Sequence, residues 1–299
     1  MTFEAFTKEV CEFLENRYAG ATVALARVTK NNGIIYTGVT IREPLDNISP
    51  TIYLDAYYTM LDDGMDKSVL FDRIAQVYEQ KRIGESVDFE FFSDYEKVRP
   101  GLRCKLINYE NNEAFLENVP HKEFLDLAVV PYYVVDNQQI SCYIGEGASV
   151  TVRNEHIRLW DVDEIEVLND ALANTLRDEV EIKGIYEVLC AIRPEYADTI
   201  ASTDFQVPMY IMRSSNTHGA IAMLNEKKLM DFCNDINCDI YIIPSSIYEV
   251  ILIPVSAEDN VNMLNEMVRE VNETEVSEED VLSNHVYYFS RLDGYREAV

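Results

Sequence analysis

Apolar residues recur three and four apart at the start of the chain: Phe3, Phe6, Val10, Phe13 and Leu14 share one side of a helix, with Thr2 placed to cap it and Ala19-Gly20 to end it. The pattern then changes to period two. In ATVALARVTKNNGIIYTGVTIRE two β-rich runs flank Asn31-Asn32-Gly33, where Asn-Gly readily takes the positive φ of a hairpin turn. Thr51 to Leu54 reads as a strand feeding a short helix. The next run, DKSVLFDRIAQVYEQKR, returns to helical spacing with Leu70, Ile74, Val77 and Tyr78 on one face.

From Asp94 the chain reads as a basic strand, a short helix over His121 to Leu127, and a strand pair turning at Val135-Asp136-Asn137-Gln138. The stretch ASVTVRNEHIRLWDVDEIEVLNDALANT reads strand then helix. Asp161 stands at capping-box spacing from Glu164, and Ile165, Leu168 and Leu172 form the apolar face. LRDEVEIKG and RPEYADTIASTDFQ read as loops. From Val207 the order is strand, turn, helix, strand, strand, with CDIYIIPSSIYEVILIP as a hairpin around Pro244-Ser245-Ser246 and Ser245 at its exposed tip. A helix from Asn260 to Val271, a short helix in SEEDVL and a closing strand complete the chain. These elements predict an α+β protein with antiparallel or mixed sheets and packed amphipathic helices, in two lobes over 1–130 and 131–299.

Charge removes several functions. With 25 Lys and Arg against 53 Asp and Glu, the net charge is −28. That field repels phosphate and opposes direct nucleic-acid binding. The same field leaves room for an acidic mimic of nucleic acid that occupies a basic partner. The amphipathic helices carry acidic polar faces, which disfavours a membrane surface. The sequence has no run of about eighteen apolar residues, and its N-terminus lacks the basic and apolar regions of a secretory signal. The cytoplasm is the expected compartment, and the six dispersed cysteines are expected to be free thiols there.

Several stretches, VTKNNGIIYTGVTI, SPTIYLDAYY, LAVVPYYVV, DIYIIPSSIYEVILIP and MVREVNETEVSEEDVLSNHVYYFSR among them, resemble an uncharacterised family, a domain of unknown function common in anaerobic gut bacteria of the clostridial kind. The likeness spans nearly the whole chain. It implies a bacterial cytoplasmic setting and an accessory-genome role, and it carries no activity, cofactor or catalytic residue. VRNEHIRLW with the acidic helix after it is similar, over about thirty residues, to a second uncharacterised bacterial family.

Candidate chemistry concentrates in two serine-bearing turns. SSNTHGA holds Ser214, Ser215 and His218 ahead of Gly219, and small polar residues with a glycine at a helix start can present N–H groups to an anion. Asn216 or Thr217 would serve equally as an ordinary N-cap. Ser245 and Ser246 would need His218, an acid and an oxyanion hole to act as nucleophiles, and G-x-S-x-G spacing is missing. Glu249 in the following strand is expected on its exposed face. The four histidines are dispersed, CNDINC has no second ligand pair, and neither phosphate-loop glycine motif follows a strand, IGEGAS reading as a turn. No metal and no cofactor are therefore expected. The favoured reading is an interaction or regulatory protein without catalysis, engaging a protein partner. The alternatives are a hydrolase-like enzyme using Ser214–Gly219 and Ser245-Ser246, and the acidic mimic. The sequence leaves the oligomeric state open.

Overall fold

A computed structural model describes residues 1–82, 90–135, 149–196, 208–256 and 260–297. The fold is α+β, with three antiparallel sheets among the described residues. The described residues divide into two units: 1–93 with Val135, and the remainder from Asp94 onward. Residue 130 falls inside a strand of the second unit.

In the first unit, helix α1 (Phe3–Arg17) starts at Thr2, whose Oγ1 accepts from the Ala5 N–H at 3.2 Å, and buries Phe6, Val10 and Leu14. Strands β1 (Thr22–Thr29) and β2 (Ile35–Arg42) pair from Thr22↔Arg42 to Thr29↔Ile35. The turn between them places Asn32 at φ 58 and Gly33 at φ 71, the geometry for which an Asn-Gly pair is suited. β3 (Thr51–Tyr53) joins the other edge of β2 and leads into α2 (Asp55–Asp62). α3 (Lys67–Lys81), capped by Asp66, buries Leu70, Phe71, Ile74 and Tyr78. These side chains meet those of α1 and the Val39 and Ile41 face of β2 in one core. Each large side chain buried there contributes roughly 1.5–3 kcal/mol, so the spacing seen in the sequence is the spacing of the core.

The second unit opens with α4 (Tyr95–Val98), β4 (Leu102–Asn108) and α5 (Glu113–Leu116). β5 (Lys122–Phe124), β6 (Leu127–Val134) and β7 (Ser149–Thr151) follow, and β6 pairs with β4, β5 and β7. The helix expected over His121 to Leu127 is therefore a hairpin. Leu125 at φ 55 turns the chain, and Lys122↔Val129 to Phe124↔Leu127 pair across it. The turns read at 135–138 and 144–149 lie largely outside the described residues.

α6 (Asn154–Trp160) and α7 (Glu164–Thr175) correct the expected capping. Asp161, at φ 53, closes α6, and Asp163 caps α7 by accepting from the Ile165 N–H at 2.8 Å. The buried face of α7 is Val167, Ala171 and Thr175, not Ile165, Leu168 and Leu172, and Ile165 is 67% exposed. Packing on β4 selects that face: the Thr175 hydroxyl accepts from the Cys104 N–H at 2.8 Å and donates to the Ala171 carbonyl.

The stretch read as a loop after residue 175 holds β8 (Val180–Gly184) and leads into α8 (Ile185–Ile192). β9 (Tyr210–Ser214), α9 (Glu226–Ile236), β10 (Ile240–Ile243), β11 (Val250–Pro254), α10 (Val261–Thr274), β12 (Tyr287–Ser290) and β13 (Gly294–Glu297) complete the unit. The six-stranded sheet runs β13-β12-β10-β11-β9-β8. One face, with Met212, Ile240, Ile242, Val250, Leu252 and Phe289, is fully buried. The other carries Tyr241, Ile243, Ile251 and Ile253 against Leu264 and Val268 of α10. The helix expected in SEEDVL is a turn followed by a single bridge at Val281, because this segment spends its backbone groups on another loop. Among the described residues no helix is long and apolar enough to cross a membrane.

Candidate functional site

Ser214 ends β9, and the chain after it is folded by short polar bonds. Ser215 N–H bonds to the Glu179 carbonyl at 2.9 Å, and the Asn216 side-chain oxygen accepts from the His218 N–H at 2.9 Å. Asn216 also donates to Asp178 at 3.3 Å. Gly219–Leu224 is a tight 3-10 turn whose residues through Met223 are buried, and α9 begins only after Asn225, which caps it through the Lys228 N–H. The expected cap at Asn216 or Thr217 is thus displaced by nine or eight residues. The physical reason is burial: an apolar GAIAM segment wedged beside β9 and β4 closes into the tight turn before the polar helix can start. Among the described residues no α-helix starts directly after Ser214 and Ser215.

Ser245 and Ser246 lie in the connection 244–249. β10 and β11 pair antiparallel as expected, from Ile240↔Pro254 to Ile243↔Ile251, but β11 begins at Val250, later than the sequence suggests. The loop is not an exposed tip. Pro244 and Ser245 carbonyls accept from Ser283 and Leu282 N–H at 2.9 and 3.2 Å, Ile247 N–H bonds to the Asp280 carbonyl, and Ser246 bridges Val281. The Ser246 hydroxyl accepts from the Tyr248 N–H at 3.3 Å.

The two turns meet through their backbones. Ala220 N–H donates to the Ile247 carbonyl at 3.2 Å, and a Cβ on Gly219 would stand 2.2 Å from the Tyr248 carbonyl oxygen. Only glycine permits that approach. The His218 ring instead meets Tyr132 edge-on, 5.2 Å between centroids, and its buried Nδ1 has no hydrogen-bond partner. Burial, reinforced by the Lys105 charge, pulls its pKa down to about 4. No hydrogen bond joins the ring to Ser214, Ser215, Ser245 or Ser246 among the described residues. The serines and the histidine are near in the chain path and separate in their bonding.

A cleft of about 440 Å³ opens beside the first turn. Its walls include Glu179, Glu181, Arg213, Ser214, Tyr248 and Glu249. The register explains the row of charges: Glu181 faces Arg213 across β8 and β9, and Val250↔Met212 carries Glu249 to the other side of Arg213. Hydrogen bonds from Lys183 and then Arg213 hold the Glu181 carboxyl below its ordinary range. Tyr248 donates to Asp280 at 2.9 Å, and its pKa is pushed up to about 12 by burial and then that carboxylate. Glu249 lies just before β11 instead of within the strand and is partly exposed.

Sequence reasoning missed a second cluster. Asp126, in the β5–β6 turn, accepts from Ser283 Oγ at 2.7 Å, from Tyr287 Oη, and pairs with His285 Nδ1 at 3.0 Å. Its residues are those of a nucleophilic triad, but its order is not. Ser283 bonds to the carboxylate itself and accepts from the His285 backbone N–H, so the imidazole cannot take the serine proton. The alternation of Ser283, His285 and Tyr287 in SNHVY signals a shared strand face, while nothing in sequence links them to Asp126. Among the described residues no group of three His, Cys, Asp or Glu is placed to hold a metal ion.

A third feature lies on α10. Met263, Met267 and Val271, four apart, are 70%, 45% and 41% exposed. They form an apolar stripe beside the exposed Glu266, Glu270 and Glu273, while Leu264 and Val268 turn to the sheet.

Neither the curated proteins nor the solved structures include a match to this chain. Residues 3–291, nearly the whole chain, match a family described as a family of unknown function (DUF5688), and the chain belongs to that family.

Proposed function

We propose that this chain is a non-catalytic binding protein that engages a protein partner through α10. The observation that carries the reading is the Met263, Met267 and Val271 stripe, three large apolar side chains left in water on a helix whose other side is packed. Methionines adapt their shape to a partner at low cost, and singly scattered exposed residues would not line up along one stripe. Glu266, Glu270 and Glu273 beside it fit a partner with an apolar face edged by Lys or Arg, such as a basic amphipathic helix. The hydrolase reading lacks support from the bonding: Ser246 is tied locally, His218 is turned to Tyr132, and Ser283 bypasses His285.

The setting we infer from the resemblance is the reducing cytoplasm of anaerobic, clostridial-type bacteria, with all six cysteines as free thiols. The five described cysteines are unpaired, and a thiol count on protein purified without oxidant tests the inference. The binding reading is tested with Met267→Glu. A photo-crosslinker beside the stripe should capture, from a clostridial lysate, a basic amphipathic segment that stays bound near 0.5 M salt, where the Debye length is only a few Å. Met267→Glu should release it. A partner held equally by both proteins sinks the reading, and a binding that collapses with salt in both favours the acidic mimic.

A further inference from the structure

We infer that the outer edge of β1 is a docking site for an extended, acidic segment of a partner protein, which joins the sheet of the first unit as a further strand beside β1. The inference does not rest on the α10 reading, since none of the residues involved lies on that helix. Two independent observations carry it. The first is the edge itself. β1 ends the β1-β2-β3 sheet, none of its eight residues is buried, and among the described residues it pairs with β2 alone. Bulges, prolines and short length ordinarily close a sheet edge to strand addition, and β1 has none of these.

The bonding of β2 shows which groups face outward. Thr37 N–H donates to Asp55 at 2.9 Å and the Thr37 carbonyl accepts from the Leu54 N–H at 2.8 Å. Ile41 bonds to the Ser49 hydroxyl through both its N–H and its carbonyl. The odd-numbered residues of β2 therefore turn their backbone groups away from β1, and in an antiparallel ladder the residues opposite them do likewise. Val23, Leu25, Arg27 and Thr29 thus direct their N–H and C=O groups to the open side of β1.

The second observation is charge. From Asn16 to Arg42 the chain has no Asp or Glu, although acids outnumber bases 53 to 25 overall. Within that stretch Arg27, Lys30 and Arg42 form no ion pair among the described residues, and Lys30 lies over the Tyr53 ring. The three cations are spread along β1: Arg42 is opposite Thr22 at one end, Lys30 follows Thr29 at the other, and Arg27 stands between them. A second copy of the chain would bring the same cations to this edge and no acid from its own β1. The net charge of −28 opposes a polyanion, so the fit is a short segment with acids placed against these cations, not a nucleic acid. Strand alternation gives its pattern. Paired side chains share a face, so an acid opposite Arg27 stands two positions from an apolar residue opposite Leu25, which is 46% exposed.

The test is fluorescence anisotropy of the whole chain with a labelled peptide of about ten residues, threonine alternating with valine and glutamate, and with its counterpart carrying lysine for glutamate. We expect saturable one-to-one binding of the glutamate peptide, at least about tenfold tighter than the lysine peptide, with slowed amide exchange at Leu25, Arg27 and Thr29. Arg27→Glu should reverse the preference between the peptides. Leu25→Pro should abolish binding, because the Leu25 N–H belongs to the open edge and takes no part in the β1-β2 ladder. Thermal midpoints will show that the variants fold, and Arg27→Glu decides the matter alone if Leu25→Pro does not. Met267→Glu should bind the peptide as the parent protein does, which separates this edge from the helix surface. Equal binding of the two peptides, a preference unmoved by Arg27→Glu, or no binding at all would overturn the inference. So would a dimer in sedimentation that Leu25→Pro converts to a monomer, since that assigns the edge to a second copy.

Discussion

The two serine turns of the second unit look alike in sequence and differ in how they are held. The 244–249 connection is laced by backbone bonds to residues 280–283, and its Ser246 hydroxyl is locally satisfied. The 214–219 turn is held by the Asn216 side chain and by glycine's lack of a Cβ, and it leaves both the Ser214 hydroxyl and the His218 Nδ1 buried without partners. The difference separates a loop laced into its neighbour from one that holds unpaired buried polar groups.

The largest effect expected from breaking this comparison comes from the lacing. Asp126→Ala removes the acceptor shared by Ser283, His285 and Tyr287, leaving the protons of two buried hydroxyls without an acceptor and freeing the segment that holds Pro244 and Ser245. Chemical denaturation should show a loss of about 4 kcal/mol, and faster amide exchange at Leu282 and Ser283. A loss below about 1 kcal/mol would deny that the carboxylate anchors the loop.

Gly219→Ala attacks the other turn. The new methyl meets the Tyr248 carbonyl oxygen, a backbone atom that cannot rotate away, so destabilisation of about 3 kcal/mol is expected by the same measurement. Ser215→Ala, on an exposed side chain of the same turn, should stay within about 0.5 kcal/mol.

The pH response of His218 has a definite sign. Its folded pKa, about 4, lies below the ordinary 6.5, so the unfolded chain binds the proton first as pH falls. Stability from the neutral buried ring is whole above pH 6.5 and is lost progressively down to about pH 4. Relative to His218→Phe, the parent protein should lose about 2 kcal/mol across that window, after allowance for the ring's partly exposed edge. Parallel pH profiles for the two proteins would show that the imidazole is not held neutral.

The smallest effects sharpen the contrast best. Ser246→Ala removes one acceptor and should cost less than about 1 kcal/mol, whereas Ser214→Ala removes an unpaired hydroxyl and should cost nothing or stabilise slightly. A clear loss on Ser214→Ala would mean that this hydroxyl is paired in solution.

Much of the fold was legible because it is local. Thr2 with the Phe6, Val10 and Leu14 spacing defines α1, Asn32-Gly33 defines the first hairpin, and Asp66 followed by Leu70, Ile74 and Tyr78 defines α3. In each case the residues that decide the element sit within a few positions of one another. The misread stretches share the opposite property. VEIKG becomes β8 only because β9, some thirty residues on, offers it an edge, and the buried face of α7 is chosen by β4, about seventy residues earlier. HKEFLDL has helical composition, yet the existing β6 strand gives it a partner for pairing. Tertiary contact overrode local preference there.

The candidate site follows the same division. Sequence by itself singled out the candidate residues, the serines and His218 of one turn and the serines of the other, and a surplus of carboxylates that opposes direct nucleic-acid binding. Only the tertiary structure decided their states. The strand register set Glu181, Arg213 and Glu249 in a row, the close approach at Gly219 fixed the two turns back to back, and burial lowered the His218 pKa and left the Ser214 hydroxyl without a partner. Spacing along the chain fixes which side chains share a face, whereas burial, pairing and desolvation depend on what another segment brings to that face, and these are properties of the assembled sheet.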